Sequence, residues 1–168
     1  ALDVGQHAPV LVVLRRHLRQ GDDCIVEIPS ERWDWRSIWG DPKKGPFCDV
    51  KYGGFIAGHD QFDAGFFNIS PKEAELMDPQ HRLFIECVWQ LIESAGYAPG
   101  ALAGRRVGVF LGINLLDYVG LANAQGLMEA MQMTGLGHVF CPNRISFLLD
   151  VQGPSEVIDT ACSSSLVA

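Results

Sequence analysis

Apolar and polar positions along the chain follow helical and strand periods in turn, beginning with a helix predicted over residues 10–20 and ended by Gly21. Two further helices are predicted to start at Ser70-Pro71-Lys72-Glu73, which has the form of a capping box, and at Asp78-Pro79. Gly96 is expected to end the second of these helices.

The helix that follows Asp78 is amphipathic, because apolar residues recur along it at intervals of three and four. The buried face predicted from this spacing comprises Phe84, Cys87, Val88, Leu91, Ile92 and Ala95. Cys87 is therefore expected to be a core residue. His81 falls on the opposite side of the helix, where a surface or capping role is expected rather than a catalytic one.

Two stretches later in the chain predict strands with helices between them. Residues 107–113 are continuously apolar, which is typical of a strand covered on both faces in an α/β layer. Residues 155–159 predict a second strand, which follows a turn at Gly153-Pro154. Helices are predicted over residues 121–133 and 142–149, so the pattern favours an α/β fold.

The first part of the chain is less regular. Residues 24–28 suggest a short strand, whereas residues 40–54, which are rich in Gly and Pro, indicate an irregular loop. Residues 1–20 are interpreted as an atypical, helical N-terminal segment. One domain, or part of one, is expected over residues 21–168.

Composition and charge narrow the possible classes of function. Hydrophobic residues make up 48% of the chain, as in globular proteins, and a net charge of −7 argues against a nucleic-acid partner. No apolar run is long enough for a membrane span, and the N-terminus lacks a secretory signal pattern. The five cysteines are scattered without a C-x-x-C pair, so neither a metal site nor a disulfide framework is expected. A reducing cytoplasm fits this pattern best.

The end of the sequence combines a strand, a tight turn and a helix start, with Cys162 at the turn. A thiol in that position lies near the first unpaired N–H groups of a helix, which favour its thiolate form. The small residues beside it, Ala161 and Ser163, leave room for an acyl group. Cys162 is thus a candidate nucleophile. The alternative, which is common for a single cysteine, is a small buried apolar side chain.

The chain resembles β-ketoacyl synthases, especially the ketosynthase domains of modular polyketide and fatty acid synthases, in the active-site segment Asp159-Thr160-Ala161-Cys162-Ser163-Ser164-Ser165-Leu166-Val167-Ala168. The resemblance continues through CIVEIPSERWDW, KYGGFIAGHDQFDAGFFNISPKEAELMDPQHRLFIE and FCPNRISFLLDVQGPSEVIDTACSSS, and it covers about residues 18–168. In that family the cysteine of this segment takes an acyl chain as a thioester, a role that falls on Cys162.

This resemblance implies a thiolase-like α/β fold, of which the chain holds an incomplete first half. Residues 21–168 would then be the N-terminal part of a ketosynthase domain, reaching just past the active-site cysteine. The implied reaction is a decarboxylative Claisen condensation in polyketide biosynthesis. Cys162 accepts the acyl chain, its backbone N–H is a candidate oxyanion donor, and a malonyl-type extender on acyl carrier protein is the second substrate.

The resemblance also implies partners. The acyl carrier protein would deliver both substrates on its phosphopantetheine arm, and the chain itself would bind no cofactor. Other synthase domains, such as an acyltransferase, are expected to work with it. A cytoplasmic homodimer is expected, with residues 155–159 near the two-fold axis.

The family uses two histidines that follow the cysteine, and no segment of this chain resembles their motifs. We therefore assign no catalytic role to His7, His17, His59, His81 or His138, and these 168 residues alone are expected to be inactive. One alternative is a non-catalytic truncated ketosynthase that acts as a docking or dimer-supporting module in a synthase. A hydrolase with a cysteine nucleophile is a more distant one, because it would need a base histidine in a strand-adjacent context.

Overall fold

The structure, a computed structural model, describes residues 10–124 and 132–168. These residues fall into two compact units, one ending at His59 and the other beginning at Asp60. The predicted N-terminal helix is confirmed as α1, Val10–Gln20, and Gly21 follows it with a φ of +66°, which a residue without a Cβ adopts freely. Residues 1–9 of the N-terminal segment lie outside the described residues.

The first unit holds a short antiparallel pair of strands. β1, Val26–Glu27, pairs with β2, Tyr52–Gly53. β1 is shorter than the strand predicted over residues 24–28, and β2 lies in the stretch predicted as loop, because two residues cannot carry a periodic pattern. Between the strands, the rings of Trp35 and Trp39 pack edge to face with centroids 5.4 Å apart, which helps to fix this loop.

The second unit opens with the predicted capped helix. α2, Pro71–Leu76, begins after Ser70, whose hydroxyl accepts a hydrogen bond from the Glu73 N–H at 3.2 Å. This half of the capping box is confirmed. The Glu73 carboxylate accepts a hydrogen bond from the Arg144 guanidinium at 2.6 Å, and this ion pair ties α2 to a helix much later in the chain.

The next helix also begins and ends where the sequence predicts. α3, Pro79–Ser94, starts after Asp78, whose carboxylate accepts a hydrogen bond from the Gln80 N–H at 2.8 Å. Asp78 is almost fully buried, so this cap also provides a partner for a carboxylate that water does not reach. Gly96 follows the helix with a φ of +80°, as predicted.

The buried face predicted for α3 is only partly right. The buried residues of the helix are His81, Ile85 and Ile92. Cys87 and Ala95 are exposed and Leu91 is 55% exposed, so the prediction that these three are core residues is wrong. Spacing alone identifies an apolar stripe, whereas the neighbouring elements determine which side of it is covered.

The predicted α/β arrangement is confirmed in the second unit. β3, Val109–Gly112, and β4, Ser155–Ile158, are adjacent parallel strands. The connection between them contains α4, Asp117–Ala124, α5, Gln132–Leu136, and α6, Phe140–Leu148. Parallel strands need a crossover of this kind, and helices are its usual form.

Details of these elements differ from the predictions. The helix predicted over residues 121–133 corresponds to α4 and α5, with residues 125–131 outside the described part of the chain, and α6 begins before residue 142. Val109 is buried, whereas Phe110, which faces the other side of β3, is 45% exposed. The prediction that both faces of this strand are covered is therefore wrong at Phe110.

The core of the second unit brings α3, β3 and α6 together. Its buried members are Phe67, Met77, Ile85, Ile92, Val109, Ile145, Leu149 and Val151. Each such side chain contributes about 1.5–3 kcal/mol by leaving water. The predicted turn before β4 is close-packed as well, since a Cβ on Gly153 would lie 2.1 Å from the Val107 carbonyl oxygen. These contacts fix the start of β4, and the candidate site begins at the other end of this strand.

Candidate active site

β4 runs directly into the turn that carries Cys162. Asp159 and Thr160 follow the strand, a 3-10 turn spans Ala161–Ser163, and α7, Ser164–Val167, begins immediately after it. The predicted order of strand, turn and helix start is confirmed. Cys162 is exposed, so the alternative of a small buried side chain is wrong for this residue. An exposed sulfur at a turn is open to the approach of an acyl donor.

Ala161 gives the turn its unusual shape. Its φ is +53°, a left-handed conformation that costs an L-residue about 1 kcal/mol. Its N–H donates to the Asp159 carboxylate at 3.1 Å, and its carbonyl accepts from the Ser164 hydroxyl at 2.8 Å. The Ser164 oxygen in turn accepts from the Thr160 N–H at 2.9 Å. Hydrogen bonds on both sides of Ala161 therefore hold the conformation that presents Cys162.

The other motif residues shape the same turn. The Ser163 hydroxyl lies 2.9 Å from both the carbonyl oxygen and the side-chain oxygen of Thr160. Ser164 is buried, at 6% exposure, while Ser165 is exposed on α7. The hydroxyls of Ser163 and Ser164 are thus used in bonds within the turn, which indicates a structural role for both.

β3 lies against the start of α7 at Gly112. A Cβ at this position would lie 2.7 Å from the Ser164 carbonyl carbon and 2.8 Å from the Ser165 nitrogen. Both are backbone atoms, so a rotamer change could not relieve the contact. Glycine is needed here to allow the close approach of strand and turn.

Asn114 connects the end of β3 to the turn. Its side-chain amide donates to the Asp159 carboxylate at 2.7 Å. This bond, followed by the bond from the Ala161 N–H, lowers the pKa of Asp159 below its usual value. The ionised carboxylate therefore accepts two hydrogen bonds, one from the loop after β3 and one from the turn after β4.

The residue after Asn114 is held from two other elements. The Leu115 carbonyl accepts from the Gln80 side-chain amide at 2.9 Å and from His138 Nε2 at 2.8 Å. His138 Nδ1 lies 3.2 Å from His81 Nε2. Because a carbonyl only accepts, we assign the His138 proton to Nε2, so its Nδ1 accepts from His81 Nε2–H.

His81 is fully buried, so the prediction of a surface or capping role is wrong. Its partner His138 lies 57 residues later in the chain. Burial lowers the pKa of His81 to about 4; the Asp78 carboxylate opposes this shift, and His138 and Arg144 add to it. The imidazole is therefore neutral near pH 7, as the assigned hydrogen bonds require.

Sequence reasoning missed Asn114, Gln80 and His138. Asn114 follows directly on a predicted parallel strand, and the carboxyl ends of neighbouring parallel strands meet at one edge of a sheet. That rule could have placed Asn114 beside Asp159. No comparable signal joins His81 to His138, because their contact depends on how α3 packs beside the start of α6.

Metal-binding clusters and membrane-spanning helices are both absent from residues 10–124 and 132–168. No group of three His, Cys, Asp or Glu side chains there could hold a metal ion. No helix in these ranges combines the length and the apolar character that crossing a membrane requires.

The sequence has recognisable relatives. Residues 12–168 match the family model described as Beta-ketoacyl synthase, N-terminal domain. Polyketide synthase PksN of Bacillus subtilis (strain 168) is 48% identical over 153 residues, which cover 90% of this chain and 3% of that protein. Polyketide synthase ThaG of Burkholderia thailandensis is 48% identical over 158 residues, which cover 91% of this chain and 3% of that protein.

Solved structures agree with these relatives. The oxazolomycin ketosynthase domain OzmH KS7 of Streptomyces albus JA3453 superimposes with a TM-score of 0.85 at 38% identity, covering 94% of this chain and 28% of that chain. The ketosynthase from module 6 of the bacillaene synthase of Bacillus subtilis 168 gives a TM-score of 0.76 at 36% identity, covering 94% and 25%. The predicted thiolase-like fold is thus confirmed over its N-terminal part. The chain spans about a quarter of the length of these ketosynthases.

Proposed function

The chain belongs to the β-ketoacyl synthase family, and from this membership we propose that Cys162 is the acyl-accepting nucleophile of a ketosynthase in polyketide biosynthesis. The observation that carries the proposal is the exposed Cys162 in a DTACSSS turn between a parallel strand and a helix start. The family is enzymatic, and acyl transfer is the specific chemistry that we infer for this member.

The first step is acyl loading. The Cys162 thiolate attacks the carbonyl of an acyl thioester on the phosphopantetheine arm of an acyl carrier protein. The resulting oxyanion needs hydrogen-bond donors, and we assign one to the backbone N–H of Cys162. Collapse of this intermediate expels the phosphopantetheine thiolate, which takes up the proton that Cys162 lost, and leaves the acyl chain on Cys162.

The second step is condensation. A malonyl-type thioester on the carrier protein loses CO2, and the electron pair left on its α-carbon attacks the acyl–Cys162 carbonyl. A carbon–carbon bond forms, and the Cys162 thiolate leaves. The product is a β-ketoacyl chain on the carrier protein, and Cys162 is ready for another cycle. On this proposal, phosphopantetheine is supplied by the acyl carrier protein as part of both substrates.

Partners and location follow from the same proposal. The protein would work in the cytoplasm as a homodimer, receive both substrates from acyl carrier protein, and cooperate with other synthase domains such as an acyltransferase. The relatives support the part of this proposal that concerns other synthase domains, because the matching stretch is only 3% of polyketide synthases PksN and ThaG and 8% of a phthiocerol polyketide synthase subunit.

The experiment is a condensation assay on the full-length gene product. It is incubated with acyl-carrier protein and malonyl-carrier protein, and the β-ketoacyl product is measured by mass spectrometry. We expect product from the wild type, none from Cys162→Ala, and unchanged product from Cys87→Ala, since Cys87 lies on α3 away from the turn. A folded wild type that forms no product with any primer would favour a non-catalytic docking module instead.

A further inference from the structure

The loop after β3 is held more firmly than a surface connection needs. Three side chains from different parts of the second unit act on Asn114 and Leu115: Asp159, Gln80 and His138. His138 is itself fixed by His81, which is completely buried. A hydrogen-bonded chain therefore runs from the interior of the unit to the loop.

The same loop is linked to the turn that carries Cys162. Asn114 donates to the Asp159 carboxylate at 2.7 Å, and that carboxylate accepts from the Ala161 N–H at 3.1 Å. The positive φ of Ala161 makes this bond important, because a left-handed alanine persists only where its surroundings hold it. Without Asn114, the Asp159 side chain would lose its partner in the loop after β3 and become free to rotate away.

We propose that Asn114 and His138 are positioning residues for Cys162, acting through the Leu115 carbonyl, the Asp159 carboxylate and the left-handed Ala161. His138 holds the backbone of the loop, Asn114 holds the carboxylate, and the carboxylate holds the turn. The proposal rests on the proposed function, because the geometry that is protected here is that of an acyl-accepting thiol. Neither residue touches the reacting atoms.

The two positions allow matched substitutions. His138→Gln keeps a donor where Nε2 lies and so preserves the bond to the Leu115 carbonyl, but it gives up the acceptor that His81 uses at Nδ1. His138→Asn has the opposite effect, because its amide lies near the Nδ1 position and is too short to reach the Leu115 carbonyl. Asn114→Leu keeps the approximate shape of the side chain and removes the donor to Asp159. Asn123→Leu makes the same exchange at an exposed position on α4 and serves as the control.

Two measurements are made on the full-length gene product. The first is millisecond quench-flow hydrogen exchange of the Thr160 and Ala161 amides, both of which are hydrogen-bonded in the turn. The second is the rate at which Cys162 is acylated by a small acyl thioester, measured on its peptide by mass spectrometry. Alkylation of Cys162 by iodoacetamide is followed in parallel, since it requires the thiol but not the oxyanion geometry.

Asn114→Leu and His138→Asn are expected to speed exchange at both amides and to slow acylation by roughly tenfold to a hundredfold, as small misplacements of a reacting group do. Alkylation should change much less. Asn123→Leu should behave like the wild type, and His138→Gln should lie closer to the wild type than His138→Asn in both exchange and acylation. Recovery in His138→Gln separates positioning through the carbonyl from a general packing role of the histidine.

Unchanged exchange in Asn114→Leu or His138→Asn would overturn the proposal, as would equal losses in His138→Gln and His138→Asn. Unchanged acylation in these variants, with an active wild type, would also overturn it. If the wild type takes no acyl group but exchange rises in the two variants, the positioning of the turn is supported and the proposed function is contradicted.

Discussion

At the scale of single residues, the cysteines of the second unit differ in what surrounds their sulfur atoms. Cys162 is exposed at the turn. Cys87 is exposed as a residue too, but burial of part of it, followed by the neighbouring Glu86 carboxylate, raises its pKa. Cys141 is fully buried, and burial raises its pKa to about 12. Since the thiolate is the reactive form of cysteine, the raised pKa values make Cys87 and Cys141 weaker nucleophiles at neutral pH, and Cys162 is distinguished by its position at the turn.

Alkylation should therefore follow the order Cys162, Cys87, Cys141. With iodoacetamide near neutral pH, we expect the Cys162 peptide of the folded full-length gene product to be modified well before the Cys87 peptide, and Cys141 only when the protein opens. Time-resolved peptide mass spectrometry measures all three rates in one sample. Equal rates for Cys162 and Cys87 would count against a reactive thiol at the turn.

Gly112 provides a second test at this scale. Gly112→Ala would place a methyl group against the backbone of Ser164 and Ser165, forcing α7 and the turn away from β3 at a cost of about 1–3 kcal/mol. We expect lower thermal stability and at least tenfold slower acylation of Cys162.

Gly120→Ala is the matched control for this substitution, because Gly120 lies within α4 and a Cβ added there would meet no neighbouring atom within 4 Å. Alanine should be neutral there or stabilise the helix by up to about 1 kcal/mol. Wild-type stability and acylation in Gly112→Ala would show that the close approach of β3 to α7 is not needed.

At the scale of elements, α3 begins at a cap that the sequence predicts, but it buries a histidine that the sequence does not predict to be buried. His81 is one of its buried residues, and burial lowers the pKa of this histidine to about 4. An unfolded histidine has a pKa of about 6.5, so between about pH 6.5 and pH 4 the unfolded state binds a proton that the folded state does not. The contribution of the neutral His81 to the free energy of unfolding is therefore fully present above this range and is lost as the pH decreases through it.

This linkage predicts a loss of about 2 kcal/mol in the free energy of unfolding between about pH 7.5 and pH 5. Hydrogen exchange of the α3 amides in the full-length gene product, corrected for intrinsic rates, measures it. His81→Gln keeps a donor to His138 and has no charge to gain. Between these two pH values, the free energy of protection of its α3 amides should therefore fall by about 2 kcal/mol less than in the wild type. The same pH dependence in His81→Gln and wild type would exclude His81 as its source.

Local signals explain how much of the elements the sequence could predict. Ser70, Asp78 and Gly96 set helix ends through bonds to nearby residues, and these ends were predicted correctly. The covered face of α3 was predicted only in part, because it depends on elements distant in the chain. The turn at Cys162 could be predicted from its small residues, whereas the support from Asn114 depends on the pairing of β3 with β4.

At the scale of the whole molecule, the chain is a thiolase-like N-terminal part that covers 25–28% of the ketosynthase structures it resembles. The proposed condensation also requires groups that assist decarboxylation, and no histidine of this chain lies in a segment resembling the family motifs. The contacts of Gly112, Asn114 and Asp159 account for how Cys162 is presented at the turn.

A homodimer is the prediction that belongs to this scale. The family resemblance implies that β4 lies near a two-fold axis, and on this proposal the full-length gene product should have twice its protomer mass in size-exclusion chromatography with light scattering. The measured mass should stay at twice the protomer mass when the protein is diluted, as expected for a stable dimer. A protomer mass under these conditions would contradict the predicted assembly.

The most direct test of Cys162 as the nucleophile is to locate the acyl group. The full-length gene product is incubated with an acyl-carrier protein without extender, then digested, and the acylated peptide is identified by mass spectrometry. We predict a single acyl thioester on Cys162, absent from Cys162→Ala and still present in Cys87→Ala. Acylation of another residue, or none on Cys162 in a folded wild type, would contradict the assignment of this thiol as the nucleophile.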